Sequence, residues 1–345
     1  LVEPAATNIC KQSEDFSTTW KPLNATITTN DTTAPDGNAT ADLFSDDINN
    51  TAHRVSQSGL SVTSGQSYTF SVYAKYESRQ YLQLTFNSAH FSATQYATFD
   101  LINGTVSGQA DSTAQIIDIG NGWYRCIYTA SCTVTTSSFA FLILSNSATG
   151  RDPVYVGDGS GVYIWGAQVE TGPIATSYIP TTTASVTRNK DDINLTSASS
   201  LIGQTEGTLY LEVDWRLASG TNQWLLSVSD GGNTNRVIIY NSGVALNMFA
   251  AANNATLTNQ GESSSGYSGI QKIAFAYKTD DFELYRNGSS ISSDTSGSLA
   301  ALATLTDIDL GQAYDASLQA NMHIRAVAIY PTRLSDAEAI ALTTL

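Results

Sequence analysis

GVYIWGAQVETGPIATSYIPTTTASVTR, residues Gly161 to Arg188, reads as the closing strand of a β-sandwich, an extended exit strap and the start of a linker. Tyr163, Trp165, Ala167 and Val169 alternate with Ile164, Gly166 and Gln168, the period of two that marks a strand. Pro173 and Pro180 exclude a helix and hold the chain extended. The Thr/Ser run from Thr181 to Thr187 has linker composition. One domain is therefore expected to close here and another to begin.

Working outward, the first half is a string of short alternating segments. In Ser67–Tyr76, Tyr68, Phe70, Val72 and Ala74 oppose Thr69, Ser71, Tyr73 and Lys75. In Tyr81–Phe86, Leu82, Leu84 and Phe86 oppose Tyr81, Gln83 and Thr85. Further strands are expected at Gln95–Leu101, Trp123–Ala130, Phe139–Leu144 and Val162–Val169, with a hairpin turn at Asn103-Gly104. After Gly207 a second series begins at Thr208–Leu217 and ends at His323–Tyr330. Ser335-Asp336-Ala337-Glu338 is a capping box that opens a short helix. The expected fold is all-β: two β-sandwich (jelly-roll) domains in tandem, at 1–180 and 206–345, joined by a Thr/Ser-rich linker at 181–205.

Three pieces of the first half, GAQVE with ATSYIPT and VTR after Gly161, LVEPAATNICKQSEDFSTTW at Leu1 and GNGWYRC at Gly120, resemble a jelly-roll module of bacteriophage tail-fibre and other virion proteins. Similar modules accompany some bacterial polysaccharide-degrading enzymes. In the second half, GTLYLEVDW at Gly207, FELYRNG at Phe282, DLGQAY at Asp309 and HIRAVAIYPTRLSDAEAIAL at His323 resemble the laminin G-like, or concanavalin-like, sandwich. The resemblance implies a non-catalytic protein of a virion surface or an extracellular setting. Its partners would be a host cell-surface or environmental polysaccharide, other virion proteins and further copies in a homotrimer. The alternatives are a purely structural attachment protein and the carbohydrate-binding ancillary region of an enzyme. The relatives also imply a structural Ca²⁺ shared by an early acidic turn and the end of the last strand. Glu14 and Asp15 match the turn, Asp46-Asp47 and Asp158 add oxygen donors, and Gln168 stands where an Asp is common.

Composition narrows the function. Lys and Arg number 16 against 31 Asp and Glu, and both halves are acidic, so no basic stripe exists to neutralise phosphates and no nucleic-acid partner is expected. No apolar run approaches the length of a membrane span, so no membrane insertion is expected. The first ten residues lack a basic start and a long apolar core, so no leader is expected in them. Cys126 and Cys132, on one strand run, would lie about 20 Å apart, too far to bridge. Cys10 could meet either only through the fold, and three small buried thiols are the simpler expectation.

None of His53, His90 and His323 lies in a catalytic or metal-binding motif. Glu212-Val213-Asp214 supplies two places of a Glu-x-Asp-x-x-Glu glycosidase pattern, but the third place is Leu217, so the carboxylate pair is incomplete. Sugar binding requires less: flat aromatic faces and a few planar hydrogen-bonding groups. Tyr73, Lys75, Tyr81, Gln83 and Thr85, on consecutive strands, are expected to share one polar face. Trp224 and Tyr314 lie near turns as candidate platforms, whereas Trp20 reads as core.

Overall fold

The computed structural model describes residues 1–148, 150–215, 222–265, 267 and 269–345. The chain forms two compact units: Ala6–Arg188, and Asn189–Leu345 together with Leu1–Ala5. Each is a pair of antiparallel sheets facing across an apolar core, so the all-β sandwich class holds, with one short helix near the C-terminus.

In the first unit one sheet runs Thr105–Ala110, Tyr96–Asp100, Tyr81–Phe86, Thr136–Ser145, His53–Val62, Lys21–Leu23. The other runs Thr113–Gly120, Trp123–Ser131, Ser67–Tyr76, Gly161–Thr171, Ala41–Asp46, Ala25–Thr32. Alternation dictates what lies between them. Phe70, Val72 and Ala74 from one sheet meet Leu82, Leu84, Phe86, Leu142 and Leu144 from the other, with Trp20 and Phe16 closing one end. Cys10, Cys126 and Cys132 are free and buried, and burial pushes the Cys10 and Cys126 thiols far up, leaving them inert.

The closing strand departs from strict alternation. Its register against Ser67–Tyr76 shifts between Trp165 and Gln168, and Gly166 there has φ +64°. Val162, Ile164, Ala167 and Val169 face the core, while Tyr163 and Trp165 pack on the outer face with Trp123, Tyr73 and Tyr178. The extra residue of a bulge reverses the side on which the following residues point. Glycine is required twice over, because a Cβ on Gly166 would lie 2.8 Å from the Tyr73 ring. The exit strap is then stapled back. Gln168 donates to the Ser177 carbonyl and accepts from the Ile179 N–H, and Asn8 donates to the carbonyls of Ala167 and Ile179. Val186–Arg188 pairs with Ala6–Asn8.

In the second unit a sheet ordered Asn194–Leu195, Asp307–Leu310, Gln223–Ser229, Arg236–Asn241, Ala245–Ala252, Ala255–Ser263 faces one ordered Ser289–Asp294, Asp281–Arg286, Gly269–Lys278, Glu206–Trp215, Met322–Tyr330. Val2 pairs with Met322 in this unit. The helix Asp336–Thr343 starts from the expected capping box, Ser335 with Glu338, and lays Ala339 on the outer face beside Tyr210 and Tyr285. The last two residues of the expected strand Thr208–Leu217 lie outside the described residues.

Candidate functional site

The expected polar face does not form. Tyr73 and Lys75 lie on Ser67–Tyr76 in one sheet, and Tyr81, Gln83 and Thr85 lie on Tyr81–Phe86 in the opposite sheet. The link between these consecutive strands carries the chain across the sandwich instead of folding it into a hairpin. Tyr73 packs edge-on against Trp165 at 5.3 Å and Tyr178 at 6.0 Å. Lys75 lays its stem along Gly122. Gln83 is fully buried, donating to Thr98 and to the Gly150 carbonyl and accepting from the Asp152 N–H. Tyr81 is half-buried. Trp224 is on a strand, 8% exposed, and packs with Ile238, Ala313, Tyr240 and Phe249. Tyr314 is exposed at 38%.

The acidic residues serve the chain's own donors. Asp46 is buried and accepts from Arg79, the Tyr155 hydroxyl and the N–H groups of Asp158 and Gly159. Asp15 accepts from the Ser17 N–H and from the hydroxyls of Ser17 and Thr18, which hold its carboxyl below the usual range against the opposing effect of burial. Glu14 accepts from the Tyr178 hydroxyl. Among the described residues no group of three His, Cys, Asp or Glu side chains is placed to hold a metal ion. Glu14, Asp15 and Asp46 are thus not gathered into one such group. In the second unit Glu212 is ion-paired to Arg325 at 3.0 Å, and Leu217, the third place of the carboxylate pattern, lies outside the described residues.

The feature with the chemistry of a site is a groove on the outer face of the first unit's Thr136–Ser145 sheet. Ala140 and Leu142 turn into the core, so Phe139 and Phe141 turn outward, where they remain half-buried. Their rings are 5.8 Å apart and within 13° of parallel, a flat apolar platform two residues long. Register places Ser56 beside Phe141 and Arg54 beside Ile143 on the neighbouring strand, and Lys21 beside Ser56 on the next.

On the other side a strap, described at residues 145–148 and 150–152, lies over Tyr81–Phe86. Gly108 permits this crossing, because a Cβ there would lie 2.3 Å from the Ala148 carbonyl oxygen. The strap delivers Arg151, whose Nε and Nη2 donate to the carbonyls of Gln95 and Phe86. It also delivers Asp152, which pairs with Arg54 Nη1 at 3.0 Å. The Arg54 guanidinium stands 5.5 Å from the Phe141 ring centre. Two adjoining depressions of about 280 and 370 Å³ result. They share Arg54, Asn87 and Phe141, so they form one continuous groove. Each is near the lower end of the size range of small-molecule sites.

The arrangement offers an aromatic floor, fixed cationic donors, an amide and hydroxyls, with no nucleophile-and-base pair. It can hold a polar ring laid flat and orient it. Sequence reasoning placed the strand but did not separate its faces; the signal was the Phe-Ala-Phe-Leu alternation at Phe139–Leu142, aromatic outside and aliphatic inside.

No protein-family model matches the chain, and no curated protein matches it. Among solved structures the chain is similar to the CBM40 of Ruminococcus gnavus IT-sialidase, with 16% identity over 45% of this chain and 98% of that one, at a TM-score of 0.37. It is also similar to domains LG4-5 of the mouse laminin α1 chain, with 10% identity over 84% and 90% of the two chains and a TM-score of 0.29. A third likeness, to Bacteroides ovatus xyloglucan PUL GH43B, has 10% identity over 90% and 75%, with a TM-score of 0.24. These are likenesses of fold alone. No helix is long and apolar enough to cross a membrane.

Proposed function

We propose that this chain is a non-catalytic glycan-binding protein whose first sandwich holds a saccharide along the Phe139–Phe141 groove. The observation that carries the reading is the near-parallel pair of outward phenylalanines, bordered by Arg54, Arg151, Lys21 and Asn87. Pyranose rings present a C–H face to such a platform and equatorial hydroxyls to the donors around it. The setting proposed is a virion or extracellular surface, with a host-surface or environmental polysaccharide as ligand and copies of the chain in a homotrimer. Its support is the tail-fibre-like wording of the Gly161–Arg188 and Leu1–Trp20 stretches.

A glycan array probed with the whole chain, followed by calorimetry on the hits, tests this. Binding is expected for the wild type and is expected to fall about tenfold in Phe141→Ala, on the scale of one lost ring contact. Equal binding by the two proteins would place the glycan elsewhere.

A second reading, attachment without a ligand, is favoured by one observation. Ile193, Leu195, Leu201, Leu310, Val327 and Ile329 line an apolar depression of about 310 Å³ in the second unit, with Leu195 and Leu201 each half exposed. A stable trimer in which Leu195→Asp produces monomers would support it.

A further inference from the structure

We infer that the groove selects a saccharide bearing a carboxylate, and that the carboxylate docks on the open edge of Arg54; this rests on the glycan-binding reading above. Charge distribution is the first reason. The chain carries a net −15, yet Arg54 and Arg151 converge on this one groove, with Lys21 at its rim donating to the Thr18 carbonyl, against a single acid, Asp152. Other cations of the same unit are turned to internal use. Arg79 serves Asp46 and Asp158, and Arg125 is buried over Tyr73.

Guanidinium geometry is the second reason. Asp152 takes only Nη1 of Arg54, and no described residue accepts from Nε or Nη2. Neither atom is buried, whereas the Nε atoms of Arg79, Arg125, Arg236, Arg286 and Arg333 are. The Nε–Nη2 edge is the fork that matches a carboxylate bidentately. Asp152 on one corner and the Phe141 ring beneath restrain the guanidinium, so little side-chain freedom is lost on binding. Arg151, clamped by two backbone carbonyls in the same depression, adds a second fixed positive charge. The net effect is a carboxylate site at the head of an aromatic platform: the sugar ring lies on Phe141 and Phe139 while its acid group meets Arg54.

The field of the whole molecule sets a further limit. A strongly negative chain repels a densely charged polyanion at long range, and this repulsion is screened only beyond about 10 Å at 0.1 M salt. A single acidic sugar at a chain end or on a neutral backbone is therefore the better ligand.

The test uses the full chain and matched probes: oligosaccharides ending in one hexuronic or nonulosonic acid, each paired with its carboxyl-reduced, neutral form. Calorimetry on the wild type is expected to show at least about tenfold tighter binding of the acidic member. Arg54→Gln is expected to bring the pair to equal affinity, and Arg54→Lys, which keeps the charge but not the fork, to restore part of the preference. Phe141→Ala is expected to weaken both members. Melting temperatures matching the wild type confirm that the Arg54 variants fold. Equal wild-type binding of the two members, or an acid preference that survives in Arg54→Gln, overturns the carboxylate assignment and leaves glycan binding standing. Binding of no member, acidic or neutral, overturns the glycan reading and the assignment with it.

Discussion

Two arginines stand over phenylalanines on outer sheet faces, one in each unit, and they have opposite fates. In the first unit Arg54 lies 5.5 Å from Phe141, with two of its nitrogens open to solvent. In the second, Arg236 lies 4.7 Å from Phe249, with Nε and Nη1 buried without an acceptor. Phe249 belongs to a cluster with the buried Trp224, Ile238 and Ala313, Arg236 is half-buried, and burial lowers its guanidinium from its ordinary pKa. The residue types are the same at both places, a cation over a ring on a β-face. What differs is how many of the guanidinium nitrogens are buried without a partner, two on Arg236 and none on Arg54. The closed pair contributes packing, and the open pair is left able to bind.

Trp224→Ala is expected to cost about 3 kcal/mol of stability, by chemical denaturation, because it empties a packed site. It is expected to leave glycan affinity unchanged; a loss of affinity with stability intact would make the second face a binding face too. Phe141→Ala is expected to do the reverse, lowering affinity about tenfold while costing about 1 kcal/mol, since the ring is half solvated already.

A smaller effect separates the buried acids of the two units. Asp46 accepts four hydrogen bonds, whereas Asp309 is 4% exposed and has Oδ2 without a donor. Burial, reinforced by Asp307, pushes the Asp309 carboxyl up to about 6. A carboxyl raised in the folded state binds its proton more tightly there than in the unfolded chain. Its stabilising contribution is complete below the unfolded value near 4 and is lost as pH rises through 6. Asp309→Asn is therefore expected to raise stability at pH 7.5 by on the order of 1 kcal/mol and to change it little at pH 4. Equal shifts at both pH values would show that the acid ionises freely.

The smallest effect expected is that of calcium. The oxygens of Asp15 and Asp46 already have protein donors, so exchanging millimolar Ca²⁺ for a chelator is expected to move the melting temperature by about 1 °C or less. A shift of about 4 °C or more would require a cation site built from other groups.

Much of the fold was legible locally. Ser67–Tyr76 and Tyr81–Phe86 were readable to within a residue, because period-two alternation and turn residues act between near neighbours. Strands such as Ala25–Thr32, Thr113–Gly120 and Ala255–Ser263 were not read; they lie near sheet edges with half-exposed, polar residues and carry little alternation. The bulge at Gly166 escaped because it shows only in the register against another strand, the one that also brings the Tyr73 ring against the glycine. The groove escaped for a similar reason: Phe139, Arg54 and Arg151 are far apart in sequence and meet through strand order and a crossing strap.

By itself the sequence determined the all-β class, the alternating core, the capping box of the last helix and an acidic composition. Those properties depend on composition and on contacts a few residues apart. Tertiary structure alone decided which face of each sheet is covered. It sent Tyr73 and Gln83 to opposite sheets, closed the surface around Arg236 and left Arg54 open. The physical reason is that alternation specifies two faces of a strand equally well, and only the packing of distant segments determines which outward side chains keep their contact with water.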